Sequence, residues 1–305
     1  MKPAATINTV MAKDGLSRNT RIGDKYQLKQ IVHQSELSIV YRARQTDTGE
    51  TKLIKEFFPR MMAKRGEDKA TVIIRSTYFE QCEVLRNAFE REASVLKELD
   101  HPSIVAFTDY IEWNGTAYIV TEYCKGITLD QYIKQSKDAP SQAEVASIMG
   151  AVVDALTHVH EQGFIHRDVK PANIMFDAAG GTKLIDFGSA IRYGSTEKQS
   201  ILTSNGYSPL EFYSESSRQS PSSDIYSLAA TIYYAFAGKA PTDVKQRLFE
   251  DKVEALRTQN RQISFLLSRL IHWGLTMSPE KRCSSLRWFE AGLRWERLKG
   301  SMRRS

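Results

Sequence analysis

Residues Phe164–Phe176, "FIHRDVKPANIMF", and Thr182–Arg192, "TKLIDFGSAIR", carry the strongest signal in this 305-residue chain. The first stretch predicts a polar loop that presents Asp168 and Asn173, and the second predicts a short apolar strand that delivers Asp186. Two carboxylates and an amide oxygen would then surround one point. Such oxygen ligands suit Mg²⁺ with nucleotide phosphates and leave one carboxylate as a base. The alternative is chance surface polarity, which the order H-R-D-x-K-P-x-N then D-F-G, each in its strand and loop context, argues against.

Upstream of these loops, from Tyr26 to about Val120, the pattern is mostly that of strands. The apolar and polar residues alternate in "YQLKQIV", "SIVYRARQ", "TKLIKEFF" and "TAYIVTEY". One helix is predicted from about Arg86 to Leu99, with Phe89, Ala93 and Leu96 on one side. The long segment from Arg60 to about Asn87 contains "TVIIRST", which predicts an extra strand without a chemical role.

From Ser141 onward the pattern is helical. Ser141 and Glu144 have the spacing of a capping box at the start of a helix that stops at Gly163. The run "SSDIYSLAATIYYAFAGKAP" is apolar almost all round, which predicts a buried helix ended by Gly238. The sequence therefore predicts an α+β fold, with a small β-rich N-lobe joined through "TEYCKG" to a larger α-helical C-lobe.

These motifs make residues 24 to 296 resemble the eukaryotic-like (Hanks-type) protein kinases. "LIKEFFP", "REASVLKELDHPSIV", "NGTAYIVTEY" and "GYSPLEFY" are similar to the bacterial serine/threonine branch. The resemblance implies a bilobal protein-kinase-like fold over 23–296, with an N-lobe at 23–122 and a C-lobe at 127–296. Residues 1–22 are predicted to be a disordered leader, and 297–305 a basic C-terminal tail.

The resemblance implies roles for the loop residues. Asp168 would be the catalytic base, Lys170 would contact the transferred phosphoryl group, and Asn173 and Asp186 would hold Mg²⁺, or Mn²⁺ in its place. A lysine two residues after the catalytic aspartate is the serine/threonine pattern rather than the tyrosine pattern. ATP is the implied co-substrate, and a protein with serine or threonine is the implied partner.

Lys55 fits the strand lysine that grips the α- and β-phosphates, with Lys52 as the competing candidate. Its ion-pair partner is expected to be Glu92, nine residues before His101, whereas Glu90 and Glu98 are interpreted as solvated. The resemblance also implies a set of nucleotide contacts. Thr121 would be the gatekeeper, Glu122 to Cys124 the hinge, and Met175 the apolar floor, with further contacts from Ile31, Val40 and Leu53; Asp130 is a candidate for the ribose.

Outside the nucleotide site, Glu211 is expected to pair with Arg282, and Asp224 to brace the catalytic loop. Arg167 precedes the catalytic aspartate, an arrangement in which a phosphorylated activation segment pairs with the arginine. We therefore expect autophosphorylation among its hydroxyls, which are Ser195, Thr196, Ser200, Thr203 and Ser204.

The hairpin "QIVHQSELSIVYRA", Gln30 to Ala43, departs from the family. The three glycines of the phosphate loop are replaced by His33, Ser35 and Ser38, although a tight turn normally needs a residue that tolerates positive φ. This change raises the alternative of a pseudokinase that acts as a binding or scaffold module. A small-molecule kinase is a third reading, disfavoured by Lys170-Pro171 and by the Glu211 segment.

Composition sets the remaining expectations. The formal net charge is +6, and part of the excess lies in the final "RWERLKGSMRRS", interpreted as a solvated basic end rather than a nucleic-acid or membrane patch. Cys82, Cys124 and Cys283 are widely spaced without C-x-x-C, which argues against disulfides and zinc. A reducing, cytoplasmic location without membrane insertion is expected, and delivery elsewhere as an effector is left open.

Overall fold

The computed structural model describes residues 14–135, 141–177, 180–194 and 201–302, with side chains to residue 300. The chain divides into two compact units. The N-terminal unit contains the residues up to Ala93 together with Phe107–Tyr123, and the C-terminal unit contains Ser94–Ala106 and the residues from Cys124 onward. The first is mostly β and the second mostly α, so the predicted α+β class is confirmed. Residues 94–106, which were predicted within the N-lobe, belong to the C-terminal unit.

An antiparallel six-stranded sheet forms most of the N-terminal unit, in the order β1-β2-β3-β4-β8-β7. A separate hairpin of β5 and β6 contains the extra strand predicted in "TVIIRST". The strands of this unit are β1 Arg21–Ile22, β2 Tyr26–Gln34, β3 Ser38–Gln45, β4 Thr51–Phe57, β5 Ala63–Arg65, β6 Val72–Ile74, β7 Phe107–Trp113 and β8 Thr116–Glu122.

The two faces of the sheet differ, as the two-residue period of a strand requires. Ile54 and Glu56 of β4 point to the face that packs into the apolar core with Tyr41 and Tyr118, and all four are buried. Lys55, between them in sequence, lies on the opposite face and is partly exposed. We call these the core face and the Lys55 face.

A buried carboxylate, Glu56, lies at the centre of the core face. It accepts bonds from both terminal nitrogens of Arg65 at 2.7 Å, from the Tyr41 hydroxyl at 2.7 Å and from the Tyr118 hydroxyl at 2.9 Å. Burial and the Glu56 carboxylate raise the pKa of both tyrosines, which stay protonated donors. Because Arg65 is in β5, this cluster attaches the β5–β6 hairpin to the sheet and gives the segment after Arg60 a structural role.

The leader predicted to extend to residue 22 is wrong for residues 14–22. Leu16 is buried, and its amide donates to the Tyr41 hydroxyl at 3.0 Å. The Arg65 side chain donates to the Asp14 carbonyl at 2.7 Å, and β1 pairs with β2 at Arg21 opposite Gln27. Too few apolar residues occur here for a periodic pattern, yet each is buried. Residues 1–13 of the predicted leader lie outside the described residues.

The long helix α1, Phe79–Glu98, begins at Phe79 rather than at Arg86 as predicted. A 3₁₀ turn at Ser76–Tyr78 leads directly into it. Phe79 and Val84 are exposed in its first turns, so the apolar periodicity that marks the later part of the helix does not extend to its start.

Helices dominate the C-terminal unit, and two of them begin or end as the sequence predicts. Ser141 and Glu144 form the capping box of α3, and Gly238 ends α4 with a φ of +73°, a left-handed conformation that suits glycine. The helices are α2 Leu129–Gln135, α3 Gln142–Glu161, α4 Pro221–Ala237, α5 Val244–Arg247, α6 Leu256–Gln259, α7 Phe265–Gly274 and α8 Leu286–Met302. The strands are β9 Ile127–Thr128, β10 Phe164–Ile165, β11 Ile174–Phe176, β12 Thr182–Leu184 and β13 Ile191–Arg192.

The basic tail predicted from residue 297 is helical as far as Met302, because α8 continues through it. Lys299 donates to the Gln262 carbonyl at 2.6 Å, which holds this last turn against the start of α7. Among the helices that the structure describes, none has both the length and the hydropathy to cross a membrane.

Candidate active site

Asp224 of α4 holds the catalytic loop of the C-terminal unit by hydrogen bonds to its backbone. The Asp224 carboxylate is fully buried and accepts from the amides of His166 and Arg167, both at 2.8 Å, and lies 2.8 Å from the His160 ring nitrogen. Burial acts to raise the pKa of Asp224. The His160 contact and the hydrogen bond from the His166 amide outweigh burial, so the pKa is lowered. The carboxylate therefore stays charged and braces the loop, as predicted.

Arg167 has a φ of +67°, an uncommon conformation for a residue with a side chain. The two bonds to Asp224 fix the backbone at this strained position and at the residue before it. Its guanidinium is buried, donates to the Ser189 carbonyl at 3.3 Å and lies 5.5 Å from the Phe212 ring. Burial lowers the pKa of Arg167.

Of the five hydroxyls predicted as phosphorylation candidates, Ser195, Thr196 and Ser200 lie outside the described residues.

Asp168 is the centre of a four-residue cluster. Its Oδ2 accepts from Lys170 Nζ at 2.7 Å and from Asn173 Nδ2 at 2.8 Å, and its Oδ1 accepts from the Ser204 hydroxyl at 2.9 Å. Lys170 also donates to Ser204 Oγ at 3.1 Å. The carboxylate is thus surrounded by donors that fix its orientation.

Ser204 is the member of this cluster that sequence reasoning did not single out. It was one of five candidate hydroxyls in the activation segment, and composition alone does not distinguish it from its neighbours. In the structure Ser204 contacts the catalytic loop, because its hydroxyl donates to Asp168. Its amide donates to the Ser208 hydroxyl at 2.8 Å.

Asn173 and Asp186 meet through the β11–β12 pair. The register sets Ile174 opposite Leu184, and the Ile185 amide donates to the Asn173 carbonyl at 2.9 Å. Asp186 has a φ of +64°, and Phe187 is buried with its ring 4.5 Å from that of His166.

The chemistry of these two side chains suits a hard divalent cation. The Asn173 amide nitrogen donates to Asp168, so its oxygen is the atom that Asn173 can offer to a metal. Asp186 contributes a carboxylate. One amide oxygen and one carboxylate fit the way proteins hold Mg²⁺ together with phosphate oxygens and water.

In the N-terminal unit, the predicted pairing of Lys55 with Glu92 is present. Lys55 Nζ lies 2.8 Å from each oxygen of the Glu92 carboxylate, and Glu92 is 6% exposed. The competing lysine, Lys52, instead pairs with the exposed Glu50 at 2.8 Å. The competing glutamates are also paired elsewhere on the surface, Glu90 with Arg86 and Glu98 with Arg192.

Three predicted nucleotide contacts share the Lys55 face. Val40 lies opposite Lys55 across β3 and β4, and Leu53 lies opposite Thr121 across β4 and β8. Ile31 does not share this face, because it lies opposite Tyr41 and packs against the apolar core. Its neighbour Val32 is exposed at the irregularity in register between Ile31 and His33, which a regular two-residue period misses.

The remaining predicted contacts lie close to the connector. Glu122 ends β8 opposite Lys52. In the C-terminal unit, Cys124 is followed by Gly126, whose φ is +155° and where a Cβ would lie 2.1 Å from the Phe176 carbonyl. Met175 is opposite Thr128 on the adjoining strand. The ribose candidate Asp130 accepts from Lys134 and Tyr234, so both of its oxygens already have donors.

The hairpin without glycine is closed by a serine side chain. Ser35 Oγ accepts from the amides of Leu37 at 3.3 Å and Ser38 at 3.0 Å, and the Ser35 amide donates to the Ser38 carbonyl at 2.9 Å. None of the described residues 33–38 has a positive φ. The turn therefore needs no glycine because the Ser35 hydroxyl satisfies its amides.

The hairpin tip is also bound to the chain that follows β4. The Phe58 amide donates to the Leu37 carbonyl at 2.8 Å, and the Arg60 amide donates to the Glu36 carbonyl at 2.9 Å. The loop is thus a fixed extension of the sheet. Its Leu37 and Ser38 amides are bonded to the Ser35 hydroxyl, whereas those of a glycine-rich turn are open.

Glu211 and Arg282 form the predicted buried ion pair. The Glu211 oxygens accept from Arg282 at 2.7 and 3.2 Å. Arg282 also donates to the carbonyls of Thr276, Ser222 and Met277, at 2.9, 2.9 and 3.1 Å. All five donors of the guanidinium therefore have acceptors.

Comparison with known proteins places this geometry in a family. The protein kinase domain model matches residues 26–292. The serine/threonine-protein kinase PrkC of Bacillus subtilis is 32% identical over 226 residues, which cover 73% of this chain and 32% of the relative. The probable serine/threonine-protein kinase PknB of Lactococcus lactis is 27% identical over 258 residues, covering 81% of this chain and 38% of the relative.

The solved structure described as PpkA-294 apo form superposes with a TM-score of 0.80 at 27% identity, covering 92% of this chain and all of that one. This chain spans about a third of the length of the two curated relatives. The family model nevertheless covers most of the chain, including every motif described above. The chain belongs to the protein kinase family, within its Hanks-type bacterial serine/threonine branch.

Proposed function

We propose that this protein transfers the γ-phosphoryl group of ATP to serine or threonine hydroxyls of protein substrates, with Mg²⁺ or Mn²⁺ as the metal. The observation that carries the proposal is the cluster of Asp168, Lys170, Asn173 and Ser204. Three side-chain donors hold the Asp168 carboxylate, and the buried carboxylate of Asp224 braces its loop. The orientation of Asp168 is therefore fixed.

Asp168 orients the attacking hydroxyl and accepts its proton. The bonds from Lys170 and Asn173 both go to Oδ2, so Oδ1, which now accepts from Ser204, is the oxygen directed toward the substrate hydroxyl. Lys170 places a positive charge beside the transferred phosphoryl group. Positioning and charge stabilisation account for most of the catalysis in phosphoryl transfer.

Lys55 holds the α- and β-phosphates, and Glu92 fixes the ammonium group for that task. The two bonds of 2.8 Å fix the position of the ammonium group relative to Glu92. Asn173 and Asp186 are the residues that would hold the divalent cation. When bound, that cation neutralises charge on the β- and γ-phosphates.

Lys170 supports serine and threonine as the acceptors, because a lysine two residues after the catalytic aspartate is the serine/threonine pattern of the family. Autophosphorylation of the activation segment belongs to this proposal. We expect it at one or more of the candidate hydroxyls, which are Ser195, Thr196, Ser200, Thr203 and Ser204. Fragment mass spectra after incubation with Mg-ATP test this, and an active protein with unmodified residues 189–210 would contradict it.

The test of activity uses radiolabelled ATP with Mg²⁺ or Mn²⁺ and a generic basic protein substrate. We expect label with the wild type and its loss with Asp168→Ala and Lys55→Ala. Lys52→Ala is the matched control, since Lys52 lies on the same strand, pairs with the exposed Glu50 and should retain activity. Equal background label in all four proteins would reject the enzyme and leave the pseudokinase alternative. A melting shift on adding ATP would then separate a nucleotide-binding scaffold from an inert one.

A further inference from the structure

The outer face of α8 is unusual because its large apolar side chains point to solvent. Trp288 is 60% exposed, Trp295 57% and Leu298 46%. Seven and three residues separate them, so together with the exposed Ala291 they form one stripe along the helix. The other side of α8 is buried, with Phe289 and Leu293 inside the unit.

Basic side chains flank this stripe. Arg287 and Arg294 are exposed one position before Trp288 and Trp295, and Arg297 is exposed beside Leu298. Exposed acidic residues are fewer on this helix. Glu296 is fully buried, where it accepts from the Ser264 amide at 3.1 Å, which leaves Glu290 as the exposed acid among the described residues of the helix. The final residues of the sequence add Arg303 and Arg304.

A second group of exposed apolar residues lies at the start of α7. Phe265 and Leu266 are each 63% exposed, and they follow Ser264, the residue whose amide is bonded to Glu296. Since Glu296 lies on the buried side of α8, this bond places the start of α7 beside that helix. We call Trp288, Trp295 and Leu298, with their flanking arginines, the tryptophan face.

We propose that the tryptophan face binds the surface of an anionic lipid bilayer, as a peripheral contact that does not cross the membrane. Tryptophan, with a large apolar ring and a polar N–H, is favoured at the boundary between acyl chains and headgroups. Arginines on the same helix match the negative charge of anionic headgroups. The proposal is independent of catalysis and stands whether or not the chain transfers phosphate.

The charges and side chains of the tryptophan face favour a bilayer surface over a second copy of this face or a single-stranded nucleic acid. Two copies of the face against each other would bring arginines together with one exposed glutamate per helix to offset them, which disfavours self-association. Single-stranded nucleic acid would contact the arginines and stack on the tryptophans, but it would gain no stacking contact from Leu298. A bilayer surface accommodates all of these side chains.

Flotation of the full chain with lipid vesicles tests the proposal. Vesicles of phosphatidylcholine alone are compared with vesicles in which about a third of the lipid is phosphatidylglycerol. We expect binding to the anionic vesicles, weakened by added salt, and a blue shift of tryptophan emission on binding. Circular dichroism checks that each variant remains folded.

Two variants separate the apolar and the charged contributions. Trp288→Ala with Trp295→Ala should reduce partitioning at least about tenfold, from the lost apolar burial. Arg287→Ala with Arg294→Ala should reduce it about 30-fold, because each basic residue near an anionic surface contributes about a fivefold effect. The matched controls are Phe249→Ala, an exposed aromatic residue elsewhere in the unit, and Lys64→Ala with Lys97→Ala. These should bind as the wild type does.

Several outcomes would overturn the proposal. The wild type could fail to bind either vesicle, or the tryptophan variant could bind equally well. Binding to single-stranded DNA but not to vesicles would assign the face to nucleic acid. A dimer in light scattering that the tryptophan variant converts to a monomer, without vesicle binding, would assign it to a second copy.

Discussion

Removal of the Glu211 carboxylate should destabilise the C-terminal unit strongly. Glu211→Ala leaves Arg282 buried with three of its five bonds, those to the carbonyls of Thr276, Ser222 and Met277, and with no counter-charge. The guanidinium is fully buried and Glu211 nearly so. Breaking a buried pair in this way costs about 3–5 kcal/mol of unfolding free energy.

That loss is large enough to measure by calorimetry. For a unit of this size, about 1 kcal/mol lowers the melting temperature by about 2–4 °C, so Glu211→Ala should melt roughly 6–20 °C below the wild type. Glu211→Gln keeps an oxygen acceptor for one Arg282 nitrogen and should fall between the two. Glu215→Ala, an exposed glutamate four residues away, is the matched control and should change stability by less than about 0.5 kcal/mol.

A double-mutant cycle isolates the pair itself. If the two side chains act together, Glu211→Ala combined with Arg282→Ala should cost less than the sum of the single changes, with a coupling of about 2 kcal/mol or more. Additive losses, or a Glu211→Ala protein that melts within about 2 °C of the wild type, would refute the reasoning, because the pair would then contribute little beyond packing.

Three further predictions concern the site. Ser35→Ala removes the acceptor that closes the hairpin and should weaken Mg-ATP binding about fivefold, as measured by calorimetric titration. For the same reason, the triple change of His33, Ser35 and Ser38 to glycine should not increase the affinity for Mg-ATP. A gain in affinity would show that the native loop is a defect. Ser204→Ala removes a donor to Asp168 and should lower kcat about 10- to 100-fold with little change in the KM for ATP, whereas an unchanged kcat would make this bond incidental. Burial lowers the pKa of His166, so on acidification the unfolded state binds this proton before the folded state does, and stability should fall as the pH drops below about 6.5. His166→Asn keeps an acceptor for the Asp168 amide and should flatten that part of the profile of melting temperature against pH, whereas an unchanged profile would contradict a role of His166 in it.

The residues with a fixed spacing in the sequence were the ones that could be predicted. The Lys55–Glu92 pair is predicted from the resemblance to protein kinase motifs. Asp168, Asn173 and Asp186 can be located because their loop and strand contexts are short and local. The capping box at Ser141 is likewise a local rule. The loop motifs and the capping box depend on interactions within a few residues, whereas the Lys55–Glu92 bond spans 37 residues.

The features that were missed depend on distant partners. Glu56 follows Lys55 in sequence, yet its burial is possible only because Arg65, Tyr41 and Tyr118 reach it from three other strands. Ser204 was not distinguished from its neighbours because its bond to Asp168 spans 36 residues. Ile31 was misplaced because the register of β2 is irregular on both sides of it.

The proposed chemistry is tested most directly by identifying the amino acid that carries the transferred phosphate. A protein substrate labelled with radioactive ATP is hydrolysed and its phosphoamino acids are separated, for the wild type and for Asp168→Asn. We predict phosphoserine and phosphothreonine with the wild type, and a loss of label of about 10²- to 10⁴-fold with Asp168→Asn, whose shape is kept while its capacity to accept the proton is removed. Equal label from the two proteins, or phosphotyrosine as the main product, would contradict the account.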